Sequence, residues 1–125
     1  MTRFVILRHE PGPYSSRPLH WDLMLETGGV LRTWALAAEP GAACVVEGEQ
    51  LADHRLAYLE FEGELLGGRG NVSRWDRGTY RLLDETPDLL QCELHSPRLP
   101  GNLRLIRQPA GQRWNVVFGP KSNDC

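Results

Sequence analysis

The sequence predicts a mainly β protein, an antiparallel β-barrel of short strands with a few short helical turns. Apolar residues occur in short runs, and Gly, Pro, Asn or Asp lies between most neighbouring runs. No stretch keeps a helical period for the roughly ten residues that an amphipathic helix needs. About nine strands at this spacing are typical of an antiparallel barrel or sandwich.

The first strands are predicted from apolar runs that end at turn residues. The run "RFVILR" (3–8) is followed by the loop "HEPGPYSS", and "HWDLMLE" (20–26) and "VLRTWALA" (30–37) flank the hairpin signal "TGG". After "AEPGA", a fourth strand is predicted in "ACVVEGE" (43–49). The overlapping segment "GEQLADH" (48–54) is expected to hold at most one helical turn.

The second half of the chain continues the same pattern. Alternation in "LAYLEFEGEL" (56–65) predicts another strand before the glycine-rich "GGRG". The remaining predicted strands are "NVSRWD" (71–76), "GTYRLLD" (78–84), "DLLQCELH" (88–95), "NLRLIRQ" (102–108) and "RWNVVFG" (113–119). We interpret "WDRG" (75–78) as a structural turn in which Gly78 permits the bend. Residues 1–125 are predicted to form a single domain, with 119–125 as a flexible tail.

Composition limits the class of protein. A chain of 125 residues with 41% hydrophobic residues can bury a core of its own. Its net charge of -2 argues against a broad basic surface that coats nucleic acid, but it permits an enzyme that binds a nucleic-acid end locally. With neither a long apolar run nor a signal-like start, we expect a cytoplasmic protein without a membrane partner. Cys44, Cys92 and Cys125 are expected to be reduced thiols.

The strand at 20–26 carries a row of polar side chains. With a period of two, one of its faces holds His20, Asp22, Met24 and Glu26, and the other holds Trp21, Leu23 and Leu25. If the polar row points into the barrel, burial of two carboxylates requires a metal ion or another cation. If instead the apolar face fills the core, the polar row is an ordinary wet surface.

Two other histidines could join this row. His9 ends the first predicted strand, and His54 precedes a later one. Together with Asp22 they would supply two imidazoles and a carboxylate, which suits a divalent transition metal with open positions. Spacing alone is weak evidence, because three ligands on three segments can be drawn in many sequences. His95, between turn residues, is expected at the surface.

The order of segments adds a second line of argument. The series "FVILRH … LHWDLMLE … GGVLRTWAL … ADHRLAYLEFEG … GRGNV … WDRGTY … LRLIR … WNVV" resembles the 3'-phosphoesterase domain of bacterial DNA ligase D over residues 3–118. The resemblance implies a metal-dependent hydrolase of DNA repair by non-homologous end joining. Such enzymes remove 3'-terminal ribonucleotides and 3'-phosphates from DNA or RNA ends. The resemblance implies Mn²⁺ as the favoured cofactor, with Zn²⁺ or Co²⁺ as alternatives.

The resemblance also implies roles for individual residues. His9, Asp22 and His54 match the family's metal ligands. His20 matches a histidine that helps to hold the scissile phosphate, and is a candidate catalytic residue. Tyr58 and Glu26 are the other catalytic candidates, and Glu26 is expected to orient an imidazole or an arginine.

The departures from the family pattern concern the phosphate. Met24 stands where the family has an arginine, and Ala38 where it has a lysine. Replacement cations would have to come from nearby arginines, and we predict Arg17 and Arg55 as substrate-phosphate residues; Arg8 and Arg69 are the other two in reach. Weak activity at 3' ends is therefore expected. The alternatives are a non-catalytic metal-binding module that docks to repair proteins, such as a separate ligase or polymerase, and a phosphoesterase for a different phosphate ester.

Overall fold

Antiparallel pairing connects every strand in the computed structural model, which describes residues 2–41 and 45–119. Within this part of the chain there is no α-helix, and the predicted fold class is confirmed. The strands are β1 (Thr2–Glu10), β2 (His20–Thr27), β3 (Val30–Leu36), β4 (Val45–His54), β5 (Gly63–Glu64), β6 (Asn71–Thr86), β7 (Leu89–His95), β8 (Gly101–Arg107) and β9 (Arg113–Phe118). Two short 3-10 turns, Leu56–Leu59 and Leu66–Gly68, complete the structure.

Eight of these strands close into a barrel. Their order is β1-β2-β3-β4-β9-β8-β7-β6, and β6 pairs back onto β1. Strand β6 can close the ring because it is 16 residues long: its first ten residues pair with β1, and its last eight pair with β7. The two-residue β5 pairs only with the beginning of β6. Closure leaves the eight barrel strands without a free edge.

The predicted turn at "WDRG" is wrong. Asp76, Arg77 and Gly78 pair with Ile6, Val5 and Phe4 of β1, so this segment continues β6, with a register shift at Trp75. The glycine is needed for a close approach and not for a bend: a Cβ at position 78 would lie 1.9 Å from the carbonyl oxygen of His95.

Two further expectations for local structure are also corrected. The segment "GEQLADH" is the second half of β4, which extends to His54. The segment 56–65 is not a strand, because the chain leaves the barrel after β4 and crosses its outer face as a 3-10 turn followed by β5. Residues three apart eclipse one another in a 3-10 turn, so Leu56 and Leu59 both pack on the sheet.

The core consists of two apolar layers on opposite faces of β1 and β2. Trp21, Leu23 and Leu25 point into the barrel, where they pack with residues from every other barrel strand. The second layer lies outside the barrel and consists of Val5, Leu7, Met24, Leu31, Leu59 and Val72. The interior cluster also includes Cys92, a free thiol whose pKa is raised to about 12 by burial.

The polar row on β2 therefore matches neither alternative derived from the sequence. It points away from the barrel interior because the apolar face of β2 fills the core, which excludes the first alternative. It is not a wet surface either, because His20, Asp22 and Met24 are only 7%, 5% and 1% exposed beneath the covering segments.

Some sequence-based predictions concern residues or properties that the structure does not test. Residues 120–125 of the predicted tail, with Cys125, lie outside the described residues, as does Cys44 at the start of the fourth predicted strand. The single-domain assignment for residues 1–125 stays a prediction. No described helix has the length and apolar character needed to cross a membrane.

We predict that truncation of a leucine inside the barrel destabilises the protein far more than truncation of a leucine in the outer segment that follows β4. Leu23 is fully buried, so Leu23→Ala should lower the free energy of unfolding by about 2–5 kcal/mol. Leu66 is 85% exposed, and Leu66→Ala should change it by less than about 0.5 kcal/mol. Urea denaturation of both variants would measure this, and equal losses would contradict the assignment of the interior.

Candidate functional site

A cavity of about 210 Å³ lies against the outer face of β1 and β2. It is enclosed by the loop between these strands and by the segment that follows β4. The lining residues are Leu7, His9, Tyr14, Ser15, Ser16, Arg17, His20, Asp22, Met24, Leu51, His54, Tyr58, Leu65, Arg69 and Val72. This set includes three of the four histidines of the chain and a buried carboxylate, so it is the candidate functional site.

Strand register brings the polar groups together. His9 near the end of β1 pairs directly with His20 at the start of β2, and Leu7 pairs with Asp22. Side chains directly opposite one another in an antiparallel pair share a face, so both imidazoles point outward. Asp22 follows His20 by two residues and joins them on that face.

The resulting cluster is compact. His9 Nδ1 lies 3.3 Å from Asp22 Oδ2, and His20 Nε2 lies 3.1 Å from Asp22 Oδ1. One ligand atom from each of the three residues lies within 4.8 Å of the others. The ring centroids of the two histidines are 4.5 Å apart.

Each imidazole is anchored through its other nitrogen. His9 Nε2 donates to the carbonyl oxygen of Arg69 at 2.8 Å, and His20 Nδ1 donates to that of Pro18 at 3.0 Å. A carbonyl can only accept, so these nitrogens carry the protons. In a neutral imidazole the second nitrogen then carries a lone pair. The lone pairs of His9 Nδ1 and His20 Nε2 both face the Asp22 carboxylate.

The carboxylate itself is left incompletely satisfied. Asp22 Oδ1 is buried and lacks a hydrogen bond of acceptable geometry, although His20 Nε2 is near. Lone pairs that converge in this way repel one another unless a proton or a cation lies among them. Two anchored imidazoles and a free carboxylate oxygen are a donor set that fits a divalent transition metal.

The pKa values reflect this arrangement. Burial works to raise the pKa of Asp22, but the adjacent imidazoles of His20 and His9 outweigh it and hold the pKa below the ordinary 3.8. The hydrogen bond with Asp22 raises the pKa of His9 above 6.5, although burial and the positive charge of Arg69 oppose the rise. Both shifts favour the charged form of the group concerned.

His54 lines the same cavity from the end of β4. Its Nδ1 donates to the carbonyl oxygen of Ala52 at 2.9 Å, which leaves Nε2 available. The available nitrogen is Nε2 in His20 as well, but Nδ1 in His9. Tyr58 packs edge-on against the His54 ring with centroids 5.5 Å apart. Among the described residues, the cluster with ligand atoms within 4.8 Å contains His20 and not His54.

Other predicted site residues are divided between the cavity and its surroundings. Arg17 lines the cavity and pairs with Glu49, its Nη1 lying 3.0 Å from Oε1. Arg55 lines a separate adjacent cavity. Glu26 does not line the site, because it lies further along β2, where it pairs with Arg3 at 3.1 Å. The structure thus separates Arg55 and Glu26 from the predicted catalytic cluster.

Met24 and Ala38, the two positions that depart from the family pattern, differ in whether they line the cavity. Met24 lines the cavity but belongs to its apolar floor, and contributes no charge there. Ala38 packs against the interior cluster and is not among the lining residues.

Sequence reasoning missed a main-chain support for His9. The loop 66–70 packs against residues 10–15. Tyr14 N–H donates to the carbonyl oxygen of Gly68, and Ser15 Oγ donates to that of Arg69. Only glycine fits at position 70, where φ is +103° and a Cβ would lie 1.9 Å from the carbonyl oxygen of Glu10. The "GGRG" run was the one sequence signal of this close contact.

Comparison with known proteins gives consistent matches. The profile of the DNA ligase D 3'-phosphoesterase domain matches residues 13–107. The chain is 33% identical over 134 aligned residues to the multifunctional non-homologous end joining protein LigD of Pseudomonas aeruginosa, covering 99% of the chain and 15% of that protein. LigD of Mycobacterium bovis is 37% identical over 124 residues, covering 89% of the chain and 15% of that protein. The chain thus spans only about 15% of the length of these relatives.

We predict that, in the metal-free protein, His9 titrates above 6.5 because of Asp22. Asp22→Asn should lower the His9 pKa, since the amide carries no charge to favour the imidazolium. NMR titration of the imidazole resonances would measure the change, with the exposed Asp84→Asn as the control. An unchanged His9 pKa in Asp22→Asn would contradict the described contact.

Proposed function

Because the chain belongs to the DNA ligase D 3'-phosphoesterase domain family, we propose that it is a divalent-metal-dependent phosphoesterase acting on 3' ends of DNA or RNA. Its reaction would be the removal of 3'-terminal ribonucleotides and 3'-phosphates in the cytoplasm, during repair by non-homologous end joining. Mn²⁺ is the proposed metal, with Zn²⁺ or Co²⁺ as alternatives. The proposed partners are strand ends and separate ligase or polymerase proteins.

One observation carries the proposal. The buried Oδ1 of Asp22 lacks a hydrogen bond, and an imidazole nitrogen faces the carboxylate from each side. Burial of an unpaired carboxylate oxygen is costly, so the arrangement is best explained by a cation that the cavity is built to bind.

We assign His9, Asp22 and His54 as the metal ligands. His9 and His54 each have one nitrogen fixed by a main-chain carbonyl and the other available within the cavity. Anchoring of this kind orients imidazole ligands in metal sites. A bound ion would supply Lewis-acid stabilisation of negative charge on a phosphate oxygen.

His20 is then assigned to the substrate, and Tyr58 to the orientation of His54. His20 Nδ1 is committed to Pro18, so Nε2 can donate to a phosphate oxygen or to the leaving 3'-oxygen only when the ring is doubly protonated. Asp22 Oδ1 lies 3.1 Å from this Nε2. Tyr58, packed against His54, would keep this ring in its orientation.

Arg17 is the predicted phosphate residue that the proposal retains. It lines the cavity beside His20, but its pairing with Glu49 would have to weaken for it to bind a phosphate. Arg55 and Glu26 lie outside the cavity lining and have no part in the proposal.

The apolar floor favours a second candidate function. Met24 is buried where a guanidinium would bind a phosphate bidentately, and no charged group replaces it on β2. A module that binds metal without hydrolysis and docks to repair proteins is consistent with this feature. Turnover distinguishes the two candidates, because only the phosphoesterase releases product.

The test is an assay with Mn²⁺ and 5'-labelled primer–templates that end in a 3'-phosphate or a single 3'-ribonucleotide. We expect slow turnover by the wild type and at least a hundredfold loss in Asp22→Asn, since the neutral amide is a poor metal ligand. Asp84→Asn, the same change on an exposed strand, should keep the wild-type rate.

Absence of turnover with retained Mn²⁺ binding would support the binding module. Equal rates in wild type and Asp22→Asn would contradict the proposed site, because the activity would then come from elsewhere.

Titration with Mn²⁺ separates the assigned ligand from the assigned substrate residue. His54→Gln should weaken Mn²⁺ binding about tenfold or more, whereas His20→Gln should retain most of the affinity and lose turnover. Isothermal titration calorimetry at constant pH would measure both. The reverse result, with Mn²⁺ binding lost only in His20→Gln, would move His20 into the ligand set in place of His54.

A further inference from the structure

The cavity contains two arginines, and they differ in how far they are neutralised. Arg17 is in an ion pair with Glu49, with 3.0 Å between the charged atoms. For Arg69, no carboxylate lies within ion-pair distance in residues 2–41 and 45–119. The uncompensated cation at the cavity is therefore Arg69.

The guanidinium of Arg69 is held by one of its five N–H groups. Nε donates to the carbonyl oxygen of Leu66 at 2.8 Å, which fixes the side chain above its own loop. The Nη1 and Nη2 edge keeps two parallel N–H bonds, the geometry with which arginine binds two oxygens of one phosphate.

The main chain of Arg69 is also fixed to the proposed metal site. Its carbonyl oxygen accepts from His9 Nε2 and from Ser15 Oγ, each at 2.8 Å. The residue that orients a candidate metal ligand thus also carries the free cation. Arg69 is exposed, and these two bonds tie its main chain to β1 and to the loop that follows β1.

We infer that Arg69 binds the non-bridging oxygens of the 3'-terminal phosphate through its Nη1 and Nη2 groups, and so sets the preference for phosphorylated 3' ends. The inference rests on the proposed function, which supplies the substrate. It assigns the phosphate contact to the loop at 66–70, whereas Met24 on β2 carries no charge.

The experiment compares binding of two 5'-fluorescein oligonucleotides, one with a 3'-phosphate and one with a 3'-hydroxyl. Fluorescence anisotropy in Mn²⁺ on ice gives both dissociation constants, and a denaturing gel of the same samples verifies that the phosphate is intact. The variants are Arg69→Gln, Arg69→Lys, Arg55→Gln and Arg107→Gln, of which Arg107 is an exposed residue of β8.

We expect the wild type to prefer the 3'-phosphate, and Arg69→Gln to reduce this preference about tenfold or more while Mn²⁺ affinity is retained. Arg69→Lys should recover part of it, because the charge remains but the two parallel donors do not. Arg107→Gln should leave the preference unchanged. Retained Mn²⁺ affinity shows that the main-chain support of His9 survives the substitution.

Three results would overturn the inference: no preference in the wild type, an unchanged preference in Arg69→Gln, or the same loss in Arg55→Gln or Arg107→Gln. Failure of the proposed function is seen separately. A protein that prefers the 3'-phosphate through Arg69 but never releases it keeps the inference and loses the phosphoesterase assignment. Turnover that does not depend on Arg69 would support the phosphoesterase assignment and contradict the inference about Arg69.

Discussion

The arrangement of the site depends on one buried carboxylate. Asp22 is 5% exposed and lies between two imidazoles whose protons are already committed to main-chain carbonyls. No neutral arrangement of protons satisfies all three side chains at once, so the cluster needs an added positive charge. The strand ends carry the histidines, and the loops supply the carbonyls that hold this set together.

The barrel makes the arrangement possible because β1 and β2 are covered on both faces. Their inward residues fill the interior, and Val5, Leu7 and Met24 on their outward face pack under the segment that follows β4. Charges at the edge of this second layer are shielded from solvent, which strengthens their interactions. The interior is mainly apolar, and the candidate site lies on the outer face of the barrel wall.

Sequence reasoning reached the strands and the polar row, but not the cover. Alternation at 20–26 separated Trp21 from His20 correctly, yet it reads the same whether the polar face is wet or covered. That choice depends on the 3-10 turn Leu56–Leu59, whose apolar residues look like a strand in the sequence. The carbonyl of Arg69 could not be found either, because a main-chain acceptor has no side-chain signature.

The weak attachment of the segment at 55–65, which covers part of the outer face of the barrel, has a dynamic consequence. Apart from the two-residue β5, few described main-chain hydrogen bonds join the segment from 55 to 65 to the barrel, and those from Tyr58 to Arg55 and from Glu60 to Ala57 lie within the segment itself. Each barrel strand, in contrast, is bonded along both edges. Local opening of the cover costs much less free energy than global unfolding. Opening of this segment would admit an ion or a strand end to the proposed site while β1 and β2 stay folded.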